Sequence, residues 1–377
     1  MVSEQQSLER PRRILSLDGG GIRGLIAVEI LIALEKILCP PNGERKCLAD
    51  YFDFIGGTST GSILSTGLAL GMRAEKIKDF YKQYGFRIFQ KRNIFAQLWS
   101  RYDGKPLEEA LQDVFGQETL GSSQLKTRLM IVAKNATEGN TWFFTNDKNN
   151  RYYETNSKIP LWHLVRASSA APVFFPPHEI DLGNNRKEEF IDGGMSMFNN
   201  PSYQLFQQAT DPDYKIKWKT GENQLLIVSV GTGYSTPVIE RGKAKNYTAL
   251  QWAPYAVGIL MEDANVQQNI LMQSLGKQYK KPRAKKIVEA NKASEPILQS
   301  LEEISEKVPE KLFSYCRYTT SFTKKRFEQL GLPPSFKPED FAEMDCVDKM
   351  EQLSKIGERI AEEQVSEECF KNFGLDQ

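Results

Sequence analysis

The sequence predicts an α/β fold of three layers, with a mostly parallel central sheet between helices and a mainly helical C-terminal extension. Three observations predict it. Short apolar runs such as Arg128 to Ala133 and Leu225 to Val230 alternate with longer helical stretches, the pattern of a parallel sheet covered on both faces. Two of the strand-to-helix joints, at residues 18–24 and 57–61, are rich in glycine. Beyond about residue 236 the chain changes character and becomes rich in Lys, Glu and Gln at helical spacing.

Taken in order, Arg13 to Leu17 reads as the first strand and Asp18 to Gly24 as a glycine loop. Leu25 to Leu38 is apolar nearly all round and reads as a core helix, ended by Pro40-Pro41-Asn42-Gly43. Tyr51 to Ile55 is a short strand, and the apolar segment from Ser62 to Leu70 begins a buried helix. Ala74 to Tyr84 is an amphipathic helix. Residues 86–106 form an aromatic and basic loop, a candidate lid. There Phe89, Ile94, Phe95 and Trp99 read as core beneath the loop, with lipid contact as the alternative. Trp142 to Thr145 is a strand. Pro160 to Ser169 is a helix with Pro in its first turn, and Glu189 to Ile191 is a short strand into Asp192-Gly193-Gly194. Leu225 to Val230 is a buried strand closed by Gly231-Thr232-Gly233. Residues 248–276, 296–306 and 347–364 read as helices, and Leu312 to Tyr318 as a strand returning to the sheet. The organisation expected is a flexible N-terminus at 1–11, a catalytic domain at 12–235 and a mainly helical part at 236–377 packed on it.

The bulk numbers narrow the function. The chain has 377 residues and a formal net charge of +1, too balanced for a nucleic-acid binder. Its five cysteines (Cys39, Cys47, Cys316, Cys346 and Cys369) are odd in number and form no C-x-x-C pair. That argues for reduced thiols in a cytoplasmic setting, against a disulfide framework and against a structural zinc site. The first ten residues lack the apolar core of a signal peptide. Glu29 and Glu35 interrupt the longest apolar stretch, so membrane contact is expected to be peripheral.

Gly57-Thr58-Ser59-Thr60-Gly61 is a G-x-S-x-G pattern between a strand and a helix. A strained turn there exposes the serine at the strand tip, ahead of a helix N-terminus that favours developing negative charge. In Asp18-Gly19-Gly20-Gly21-Ile22-Arg23-Gly24 the backbone amides of Gly19, Gly20 and Gly21 are free to converge on an anion, and Arg23 supports the loop or adds positive potential. The same loop fits G-x-G-x-x-G, so a nucleotide-binding module is the competing reading. A Walker loop is excluded because no Gly-Lys-Ser/Thr follows. The serine needs a base, and there are only two histidines. His163 falls inside a helix and reads as structural; His178, after Pro176-Pro177, is a minor triad candidate. Asp192, at a strand tip before two glycines, is the alternative base.

The order Asp18 to Gly24, then Gly57 to Gly61, then Asp192-Gly193-Gly194 resembles the patatin-like phospholipases. Ala167 to Pro176 and Ser229 to Gly233 are similar to further segments of that family, so the resemblance runs over residues 12–233. It implies a patatin-like fold and a lipid acyl hydrolase working through a Ser–Asp dyad. Ser59 would be the nucleophile, Asp192 the base, and Gly19, Gly20 and Gly21 the oxyanion hole, with neither metal nor organic cofactor. The substrate implied is a membrane phospholipid met by peripheral contact at the inner membrane. The chain also resembles members of the family that act in anti-phage defence and are switched on by cyclic di- or trinucleotides, which implies such an activator. Self-association stays open. Hydrolysis of soluble esters and lipid acyl transfer are the alternative activities. Lys277, Lys280, Lys281, Arg283, Lys285 and Lys286 crowd together and read as a solvated face, with anionic headgroups or a charged nucleotide as the functional alternative.

Overall fold

A computed structural model describes residues 10–279 and 310–375, apart from Ile94, Asn184 and Pro237. In chain order, β1 (Arg12–Leu17) leads through the glycine loop into α1 (Gly24–Leu38), followed by α2 (Leu48–Tyr51), β2 (Phe54–Thr58) and α3 (Thr60–Ala69). Next come α4 (Ala74–Ile88), α5 (Lys105–Phe115), β3 (Arg128–Asn135), β4 (Thr141–Thr145), α6 (Tyr153–Asn156) and α7 (Leu161–Ser168). The strands β5 (His178–Asp181) and β6 (Lys187–Asp192) precede α8 (Ser202–Thr210) and β7 (Leu225–Val230). The described C-terminal elements are α9 (Ala249–Leu275), β8 (Gly276–Gln278), β9 (Phe313–Tyr318), α10 (Lys324–Gln329) and α11 (Met350–Gln364).

The sheet runs β5-β6-β3-β2-β1-β7-β9-β8, with β4 also paired to β3. From β3 to β8 every pairing is parallel. Both faces are buried, which explains why β2 and β7 are buried at every residue. Side chains alternate between faces. Leu15, Leu17 and Ile55 meet α1 and α3 in the larger core, whereas Ile14, Phe54 and Ile227 meet Leu205 and Phe206 of α8 on the other side.

Register places the functional edge. Leu17 lies beside Gly57 and Val230, so β1, β2 and β7 end together at one carboxyl edge, where open parallel sheets bind ligands. One strand arrives there from the opposite direction. Thr58, the last residue of β2, pairs with Val132 of β3, and the next residue of β3, Ala133, pairs with Asp192. Val132 and Ala133 have β4 on their other side. The antiparallel β6 therefore lies in line with β2, and its end meets the end of β2.

The sheet continues past residue 235. Tyr318 of β9 lies beside Val230, and α11 packs along α1, where a Cβ at Gly357 would press on Glu29 and the Ile26 carbonyl. Within the described residues, α5, α8 and β5 are elements that the sequence reading lacks. His178 opens β5 and is not in a loop.

Two expectations are corrected. Cys316 and Cys369 are joined in a disulfide, leaving Cys39, Cys47 and Cys346 as free thiols. The partners are 53 residues apart, with no spacing signature to reveal them; β9 and the C-terminal 3-10 helix bring them together. Phe95 and Trp99 are not core, because each is 80% exposed. Phe89 does pack on the core, and Ile94 lies outside the described residues. So do the helix expected at 296–306 and the basic residues from Lys280 to Lys286; Lys277 pairs with Glu222 at 2.9 Å. Among the described residues no helix is long and apolar enough to cross a membrane.

Candidate active site

The turn from β2 into α3 is dictated by what surrounds it. A Cβ at Gly57 would collide with the Gly61 carbonyl, and one at Gly61 with the Leu17 carbonyl. With those two positions bare, the chain reverses direction at Ser59, whose φ of 55° and ψ of −125° lie in a region that L-residues rarely adopt. Three hydrogen bonds hold it there. The Ser59 amide donates to Ser168 Oγ at 2.8 Å, and Ser168 Oγ donates onward to the Val132 carbonyl at 2.6 Å. The Ser59 carbonyl accepts from Ser62 Oγ at 2.6 Å. α3 starts at the next residue, so its unpaired N–H groups stand beside the serine.

Ser59 Oγ donates to Asp192 Oδ2 at 2.6 Å. The other carboxylate oxygen, Oδ1, accepts from the Gly194 amide at 2.7 Å. Asp192 is only 5% exposed. Burial drives its pKa up from the ordinary 3.8 to about 6, against the two hydrogen bonds that pull it down. A carboxylate so poised, with a serine proton in reach, has the geometry and basicity of a general base near neutral pH. The two expected partners thus meet, 133 residues apart, because β6 ends where β2 ends.

The glycine loop lies against the same edge. Its first residue, Asp18, is buried and forms a bidentate ion pair with Arg317 of β9, one arm being 2.8 Å from Nη1 to Oδ1. Arg317 Nη1 also donates to Ser229 Oγ at 2.7 Å. Of the expected trio of oxyanion amides, that of Gly19 already has a partner. Its N–H donates to the Asn199 carbonyl at 3.1 Å and its carbonyl accepts from Thr232 Oγ1 at 2.7 Å, so Gly19 is engaged by the scaffold. Among the described residues the amides of Gly20 and Gly21 make no backbone hydrogen bond, and Gly21, at φ 61°, lines the cavity beside Ser59. Arg23 supports the loop from behind: it is half-buried and donates to the Ala342 carbonyl at 3.1 Å. The Ile22 amide donates to Met344 at 2.9 Å, so segment 342–346 closes over the loop.

Ser59 and Asp192 open into a cavity of about 620 Å³, its open mouth included. Its walls are apolar, with Ile63, Phe80, Ile88, Phe89, Leu107 and Phe174 among them. Such a wall suits a hydrocarbon chain better than a charged group. The histidines serve elsewhere. His163 Nδ1 lies 2.8 Å from His178 Nε2, and burial holds both below their usual pKa, His178 at about 3, with Arg166 adding to that shift. Among the described residues no group of three or more His, Cys, Asp or Glu side chains is placed to hold a metal. Ser168 and Arg317 are supports that the sequence reading missed. Ser168 lies in a segment it singled out, while Arg317 carries no local signal.

The patatin-like phospholipase family model matches residues 15–205, a span that holds the glycine loop, the Ser59 turn and Asp192. The chain belongs to that family. Its curated relatives include a cGAMP-activated phospholipase from Vibrio cholerae serotype O1, 35% identical over 248 residues. Another, of the same description, from Escherichia coli strain TW11681, is 33% identical over 243 residues. Each match covers 61% of this chain, and 66% and 65% respectively of the relatives, just under two thirds of their length. Patatin-15 of Solanum tuberosum is 32% identical over 268 residues, 66% of each chain.

Proposed function

We propose that this patatin-like protein is a lipid acyl hydrolase that cleaves membrane phospholipid esters through a Ser59–Asp192 dyad. The observation that carries the reading is the 2.6 Å hydrogen bond from Ser59 Oγ to a buried carboxylate, at the floor of an apolar cavity. Asp192 Oδ2 takes the Ser59 proton as Oγ attacks the ester carbonyl. The amides of Gly20 and Gly21 receive the oxyanion, helped by the N-terminus of α3. Collapse expels the lysolipid or alcohol, which takes the proton back from Asp192, and leaves the acyl chain on Ser59 within the cavity. Water then gives a proton to Asp192 and attacks the acyl-enzyme. Fatty acid leaves, and Ser59 recovers its proton.

Activation by a cyclic di- or trinucleotide is part of the proposal, supported by the description of the two bacterial relatives as cGAMP-activated. The test is free fatty acid release from mixed phospholipid vesicles by wild type, Ser59→Ala and Asp192→Ala, with and without a panel of cyclic nucleotides. Release by wild type that both substitutions abolish is expected, and its dependence on one nucleotide would establish the gating. Release that survives Ser59→Ala would overturn the dyad.

A further inference from the structure

Residues 91–93 and 95–102 form a hairpin on the wall of the cavity. Lys91 and Tyr102 make an isolated antiparallel bridge, and the Arg92 amide donates to the Arg101 carbonyl at 3.0 Å. The stem is tied to the cavity wall by the Arg101 and Tyr102 amides, which donate to the carbonyls of Val173 and Phe174 at 2.7 and 2.8 Å. Tyr102 also packs edge-on to Phe89, a cavity residue. The outer end is unlike the stem. Residues 93–100 contain no charged side chain, and Phe95 and Trp99 stand 80% exposed there. Lys91 and Arg92 supply positive charge at the base, with no acidic residue between positions 91 and 102, while Arg101 is paired with Asp345 at 2.7 Å. Val173, beside the stem, is 64% exposed although β-branched and held at φ 74°, a conformation such a residue adopts only under constraint.

We propose that this hairpin docks the protein on bilayers containing anionic phospholipid. Phe95 and Trp99 enter the headgroup–acyl boundary, Lys91 and Arg92 meet lipid phosphates, and Val173 rests on the surface beside them. An uncharged aromatic tip above a cationic base matches the layering of a membrane interface, with amphipathic rings at headgroup depth and positive charge against the anionic surface. Isolated exposed apolar residues are common on protein surfaces; two aromatics on one charge-free tip, hydrogen-bonded through their stem to the cavity wall, form a shaped surface. Because the stem shares Phe174 with the cavity, docking sets the mouth next to the bilayer. The inference rests on the phospholipase reading for its purpose and on the hairpin alone for its binding.

The test is flotation with vesicles of phosphatidylcholine, with and without phosphatidylglycerol. It compares wild type, Ser59→Ala, Phe95→Ser/Trp99→Ser and Lys91→Gln/Arg92→Gln, after thermal melts show each variant folded. Hydrolysis of a soluble short-chain ester is followed in parallel. The aromatic variant is expected to bind anionic vesicles about tenfold more weakly or worse, with ester hydrolysis unchanged. The Lys91/Arg92 variant should lose the preference for phosphatidylglycerol. Ser59→Ala should bind as wild type does. Brominated acyl chains should quench wild-type fluorescence more than that of Trp99→Phe. Equal binding by wild type and the aromatic variant, or equal quenching, would overturn the docking assignment even if vesicle hydrolysis is robust. Hairpin-dependent binding without any ester or phospholipid hydrolysis would sink the enzymatic reading and leave the docking assignment standing.

Discussion

Replacing Asp192 by asparagine removes a buried charge while keeping the shape of the side chain. The asparagine oxygen can still accept from the Gly194 amide, and its NH2 group faces Ser59 Oγ, whose hydroxyl rotates to accept. What disappears is the cost of ionising a carboxyl group that burial holds at about 6 when its ordinary value is 3.8. The folded state binds this proton more tightly than the unfolded chain does, so ionisation opposes folding. The penalty is absent below about pH 3.8, grows as pH rises and is complete above about pH 6. At ~1.36 kcal/mol per pH unit it amounts to about 3 kcal/mol. Asp192→Asn is therefore expected to be more stable than wild type by about 3 kcal/mol near pH 8 and by about half that near pH 5, converging with wild type near pH 4. Urea unfolding at those three pH values measures the difference. Fatty acid release should meanwhile fall by about 10²- to 10⁴-fold, since the amide cannot take the serine proton. A stability difference that does not change with pH, or a variant less stable at pH 8 than wild type, would refute the claim that Asp192 is ionised at a cost to the fold.

Further outcomes follow from the same contacts. The wild-type rate should rise about tenfold per pH unit below about pH 6 and level off above it, as Asp192 becomes the free base; a pH–rate profile with a soluble ester reads this directly. Ser59→Gly should abolish activity while raising stability by about 1 kcal/mol, because glycine accepts the φ of 55° without strain. Arg317→Met should destabilise by about 3–5 kcal/mol in urea unfolding, since it strands the buried Asp18 carboxylate, and Asp18→Asn in the same chain should restore much of the loss. Ser168→Ala leaves the Ser59 amide without its acceptor and should cost about 1–3 kcal/mol, with a matching drop in kcat as the turn loosens.

Much of the architecture was legible from local pattern. The runs at Arg128 to Ala133 and Leu225 to Val230 became β3 and β7, and the return strand near Leu312 became β9. These strands are continuous apolar stretches, which only a doubly covered strand or a core helix can bury. Of the elements left unread, α8 and β5 are short and polar on one side, so their burial depends on what packs against them. Phe95 and Trp99 failed for the opposite reason. Their apolar character argues for the interior, and only the course of the hairpin puts them outside.

By itself the sequence determined the residue types that chemistry demands: a serine between glycines at 57–61, a glycine loop at 18–24 and an aspartate before Gly193-Gly194. These are set by φ/ψ requirements and by chain direction at strand ends, which act over a few residues. Tertiary structure alone decided which of those groups meet and which are already engaged. It brought Asp192 to Ser59 through the register of β6 on β3, engaged the Gly19 amide with Asn199 and drew Arg317 under Asp18 from 299 residues away. It also joined Cys316 to Cys369. Hydrogen bonds, ion pairs and disulfides between distant segments depend on register and packing, and no local spacing encodes either.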